Sequence, residues 1–145
     1  MRDFGCLRPH RGSTRATALR SLVEGLEELL TRLAPDVVAV ETPFTAKFPR
    51  AALLLAEARG ALLAELGRWG GDVVEYEPAR VKAVVVGLGN ADKQQVAYIV
   101  RHELSLAKIP SEDAADALAI ALCHLRLTAA TSVRPAPAVS RPGND

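Results

Sequence analysis

The sequence predicts an α/β domain, because amphipathic helices alternate with short apolar strands. Leu19, Leu22, Val23, Leu26, Leu29, Leu30 and Leu33 recur at three and four, the spacing of one helix face. Val37-Val38-Ala39-Val40 is an unbroken apolar run, which suits a parallel strand covered on both faces. DVVEYE at 72–77 reads as a second strand.

The elements follow in order. Phe4 to Leu7 is a weak strand candidate. The first helix covers 15–33 and ends at Pro35-Asp36. The first clear strand ends at Glu41, and Thr42 to Lys47 is a loop. A second helix runs from Pro49, suited to a first turn, to about Leu66, closed by Gly67, Gly70 and Gly71. Pro78 opens a short helix bearing Arg80, Val81 and Lys82, which stops near Gly87-Leu88-Gly89. Asn90 or Asp92 caps the next helix, whose core face is Val96, Ile99, Val100 and Leu104. Ser111 caps a final helix to about Leu127. Residues 1–129 read as one domain and 130–145, rich in Pro and polar residues, as a disordered tail. Two strands are few for a sheet.

Hydrophobic residues make up 49% of the 145 and charged residues 24%, a globular balance. At 4% aromatics, Ala, Val and Leu must build the core. The net charge of +1 decides nothing about nucleic acid, since clustering matters more. Arg2, Arg8, Arg11, Arg15 and Arg20 crowd the start against Asp3 alone. Arg80, Lys82, Lys93, Arg101 and His102 form a second group. A solvated surface is the plainer account of each. Cys6 and Cys123 lack metal-ligand spacing and form no disulfide framework, which fits a reducing cytosol. The start has no signal-peptide character, and no apolar run reaches the length of a membrane span.

Chemistry concentrates on three acids. Glu41 ends a buried strand, and sites in α/β sheets lie beyond that edge. Alone, it reads as an ordinary solvated strand end. Asp113 and Asp116 are three apart in SEDAADALAIALCHL, so they share a helix face that continues through Ala117, Ile120 and His124. That face is expected to be largely buried. Helix-dipole stabilisation, about 0.3–1 kcal/mol, accounts for one Asp near the N-terminus but not for two facing inward. Metal binding accounts for both, since Mg²⁺ takes a few carboxylates plus water and phosphate. Two such ions would clamp an in-line phosphoryl displacement. Gly87-Leu88-Gly89 lacks GK[ST] and supports no P-loop. Cys123-His124, inside a helix, reads as packing.

VAVETPF at 38–44, EARGALLAEL at 57–66, VVEYEPARVK at 73–82, GLGNADKQQV at 87–96 and IPSEDAADALAIALCH at 109–124 together resemble RuvC, the bacterial Holliday-junction resolvase family. The resemblance implies an RNase H-like mixed sheet flanked by helices and a cytoplasmic homodimer. It implies nicking of two opposed strands at a four-way DNA junction with Mg²⁺, Mn²⁺ being the alternative metal. The RuvA–RuvB branch-migration complex is the implied partner. The family's acids fall on Glu41, Asp113 and Asp116 and its junction-binding lysines on Lys82 and Lys93. Phe44 matches an aromatic able to stack on an unpaired base, and Arg50 is a further DNA-contact candidate.

The chain departs from the pattern at its start. The family opens with a hairpin whose first strand carries an acid in a GIDPG-like motif, and that hairpin is absent here. Phe4 to Leu7 then matches the third strand, and a fourth carboxylate is missing. Asp3 fits neither by position nor by neighbours. Glu57 stands where Gln is usual and Phe48 where Asn is usual. A start assigned too late and a degenerate homologue are the two explanations. Three functions are therefore expected to compete: a junction-resolving nuclease, a junction-binding protein that does not cut, and a metabolite-binding α/β domain with no specific support.

Overall fold

A computed structural model describes residues 3–42 and 49–132. Among these, α1 (Arg15–Leu33) begins at Thr14, whose hydroxyl accepts from the Thr17 N–H, and ends at Ala34 in the left-handed region. Arg15 pairs with Glu57, and Arg68 pairs with Glu27, tying α1 to α2 (Pro49–Trp69). Gly67 lies inside α2. The helix is closed by Gly70, whose φ of 78° suits glycine.

Strands β1 (Val37–Glu41) and β2 (Asp72–Tyr76) flank that crossover helix and pair in parallel, from Val37↔Asp72 to Glu41↔Tyr76. Val37 to Val40 of β1 are half-buried rather than covered on both faces, and Glu41 is exposed. Among the described residues β1 pairs with β2 alone, so one of its edges has no strand beside it. Phe4 to Leu7 form no strand. Leu7 instead packs on α1 at Gly25, where an added Cβ would come within 2.9 Å of it.

Beyond β2 come α3 (Pro78–Val86), α4 (Lys93–Glu103) and α5 (Glu112–Ser132). Pro78 opens α3, and Gly87 at φ 85° closes it. Asp92 and Gln95 form a reciprocal capping box at the start of α4. Val81 and Val85 of α3, Val96 and Val100 of α4, and Ala119, Ile120 and Cys123 of α5 make the core. Ala39 and Tyr76 pack against it, which places these three helices over one face of the sheet.

By length and composition Glu112–Thr131 is apolar enough to cross a membrane, contrary to the expectation from sequence. Here that apolarity serves packing: Ala114, Ala115, Ala119, Ile120 and Cys123 are buried in the domain. Residues 133–145 lie outside the described residues.

Candidate metal and phosphate site

Side chains alternate along a strand, so Glu41 projects to the same face as Ala39, toward α5. Helix α5 starts directly after Ser111, whose carbonyl accepts from the Ala115 N–H at 2.8 Å. That start brings Asp116 opposite the end of β1. Glu41, Lys82, Lys93 and Asp116 line one cleft of about 210 Å³. Its apolar walls are Pro78, Val81, Val96, Ala119 and Ile120.

The walls take part of the water from both acids, although Glu41 stays exposed at the rim and Asp116 is half-buried. Burial, then repulsion from Asp116, holds the Glu41 carboxyl above its ordinary value, against the pull of Lys93 and Lys82. Burial likewise raises Asp116, opposed by Lys93 and reinforced by Glu112 and Asp113. Lys93 is pushed up by its hydrogen-bonded ion pair with Glu112. Glu112 was not singled out from sequence; its signal is its place on the first turn of α5, where it reaches the lysine at the start of α4.

Asp113 is exposed and does not line the cleft, although its charge acts on Asp116 and Lys93. The face expected to be buried is only partly so: Ile120 is buried and Asp116 and His124 are half-buried, but Asp113 and Ala117 are exposed, and Ala115, Ala119 and Cys123 complete the inward side. Phe44 lies outside the described residues. Arg50 is in the first turn of α2, its side chain also outside them. Cys123 is fully buried as packing, whereas His124 shares a 2.8 Å hydrogen bond with Tyr76.

Two partly desolvated carboxylates lining one cleft suit a hard divalent cation, since Mg²⁺ is held by one or two carboxylates plus water and phosphate. No group of three or more His, Cys, Asp or Glu side chains is placed to hold a metal among the described residues. The donor set therefore fits a two-carboxylate site, not a closed protein cage.

Fold and cleft define an α/β domain with an acidic site beyond the carboxyl end of its strands and cations beside it. The model of the family "Crossover junction endodeoxyribonuclease RuvC" matches residues 2–124. The crossover junction endodeoxyribonuclease RuvC of Halorhodospira halophila is 46% identical over 133 residues, 88% of this chain and 80% of the relative. That of Pseudoalteromonas atlantica is 44% identical over 120 residues, 83% and 69% of the two chains. Thermus thermophilus RuvC in complex with Holliday junction substrate superposes with a TM-score of 0.78 at 32% identity, covering 87% of this chain and 77% of that one. The chain belongs to the RuvC family of crossover junction endodeoxyribonucleases, and its fold is RNase H-like.

Proposed function

We propose that the chain acts on four-way DNA junctions as a metal-dependent endonuclease that nicks two opposed strands in recombination and repair. The observation that carries this is the single cleft holding Glu41 and Asp116 beside Lys82 and Lys93. Glu41 and Asp116 would hold Mg²⁺, or Mn²⁺, and Asp113 one turn away adds to the negative field. Such a cation supplies a water of lowered pKa and neutralises charge on the phosphate oxygens. Lys82 and Lys93 hold the scissile strand by its phosphates, a contact that weakens with salt. Hydrolysis would leave a 5′-phosphate and a 3′-hydroxyl. Phe44 would stack on an unpaired base and Arg50 would touch the backbone. Two opposed nicks require two sites, hence a homodimer. The RuvA–RuvB complex would deliver the junction in the cytoplasm.

The test is a synthetic four-way junction incubated with the 145-residue chain and Mg²⁺. Paired nicks that Glu41→Gln abolishes support the proposal. A chain that ignores junctions in favour of linear duplex contradicts it. A second reading, junction binding without cutting, is favoured by the position of Asp113 outside the cleft, which leaves two carboxylates there. Tight junction binding with intact strands is its signature.

A further inference from the structure

Tyr76 and His124 do not line the acidic cleft, yet together they connect its two sides. Tyr76 is the register partner of Glu41, and its carbonyl accepts from the Thr42 N–H at 2.9 Å. Its backbone thereby holds the strand at Glu41 and just after it. Its hydroxyl shares a 2.8 Å hydrogen bond with His124 Nδ1, and the rings lie 6.0 Å apart at 54°. His124 sits on α5, eight residues after Asp116, or about 12 Å along the axis. One tyrosine therefore grips the segment carrying Glu41 through its main chain and the helix carrying Asp116 through its side chain.

A restraint is needed here because the charge of Asp116 repels that of Glu41. Apolar contact resists this weakly in direction. The buried residues of α5 are Ala114, Ala115, Ala119, Ile120 and Cys123, all small except Ile120, and apolar attraction is non-directional. Arg126 ties α5 to the carbonyls of Val84 and Val85, so it fixes α5 against α3 rather than against the sheet. A hydrogen bond has a preferred distance and angle, and sets the rotation and height of the helix where small side chains do not.

The geometry points to Tyr76 and His124 as a positioning pair that sets the approach of Asp116 to Glu41, and with it the cleft's affinity for a divalent cation. The inference rests on the metal-site reading above. Neither residue touches the cation or DNA; both act through the two acids.

The test is Mn²⁺ binding to the full 145-residue chain, followed by electron paramagnetic resonance, with metal-free junction affinity and thermal melting measured alongside. Removing a partner hydrogen-bonded directly to a metal ligand typically weakens a site by 10–100-fold, and this pair stands one step further out, at the low end of that range. Tyr76→Phe and His124→Leu are each expected to weaken Mn²⁺ binding about tenfold and to leave metal-free junction affinity unchanged. The double variant is expected to be no weaker than either single one. His124→Asn, whose amide puts a hydrogen-bonding atom where Nδ1 stands, restores most of the affinity. Wild-type Mn²⁺ affinity in a folded Tyr76→Phe chain overturns the inference, as does a His124→Asn chain as weak as His124→Leu. Wild-type chain that holds no Mn²⁺ through Glu41 overturns the metal-site reading and this inference together.

Discussion

Asp116 on α5 and Glu41 at the end of β1 share one cleft, and the charge of Asp116 makes Glu41 harder to ionise. The sign of the pH dependence follows. In the folded chain Glu41 keeps its proton above the ordinary value of 4.5, where the unfolded chain has released it. Stability therefore falls as pH rises from 4.5 through the raised folded value, and the deficit is complete above it. Glu41→Gln is expected to melt above wild type at pH 7, with the gain shrinking as pH falls through the raised folded value toward 4.5 and gone below it. Added Mg²⁺ should raise the melting temperature of wild type and leave Glu41→Gln unmoved. Differential scanning calorimetry across pH and Mg²⁺ measures both. A pH-independent difference contradicts the burial and repulsion argument.

Lys93 pairs with Glu112 in the absence of DNA. A phosphate must compete with that carboxylate for the ammonium group. Lys93→Ala is expected to weaken junction binding and to reduce the slope of log affinity against log salt by about one. Glu112→Gln, which frees the lysine, should tighten binding at low salt. Fluorescence anisotropy over a salt series reads both, and an unchanged slope in Lys93→Ala would remove the phosphate contact from the account.

Asp92 accepts from the Gln95 N–H at 2.8 Å, and the Gln95 side chain accepts from the Asp92 N–H at 2.9 Å. Asp92→Ala breaks this box at the helix end that carries Lys93. The expected cost is about 1 kcal/mol of stability. Urea denaturation gives the number, and faster amide exchange at residues 93–95 should accompany it.

Arg126 donates to the Val84 carbonyl and, at 3.0 Å, to that of Val85, and also pairs with Glu103. It joins α5 to the end of α3 and to α4. Arg126→Met keeps the aliphatic stem and removes these bonds, leaving part-buried carbonyls without that donor. A loss of about 1–3 kcal/mol is expected, read as a lower urea midpoint at constant slope.

Much of this architecture was legible in the residues, for identifiable reasons. The 15–33 leucine spacing gave α1 its exact observed limits because periodicity and its end signals agree. Asp92 was recognisable as a cap by its residue type and position. The end of α5 was not. Thr128 and Thr131 look like helix-ending residues, yet their hydroxyls bond carbonyls one turn back and the helix runs on to Ser132. Cover on β1 was overestimated because an apolar run reports what a strand tolerates, not which neighbours it has. Glu41 and Asp116 were both singled out and line one cleft, but the place of Asp113 outside it depends on how α5 packs, which three-residue spacing does not encode. The Tyr76–His124 bond joins residues 48 apart, and nothing local marks either as the other's partner.

Strand scission by Asp116→Asn, compared with its junction binding, tests the central claim most directly. The substitution keeps the size of the side chain and removes the charge that would hold the cation. With a labelled four-way junction and Mg²⁺, the account predicts that Asp116→Asn binds the junction as wild type does and leaves both strands uncut where wild type nicks them. Cleavage at the wild-type rate, or loss of binding in parallel with loss of cleavage, would contradict it.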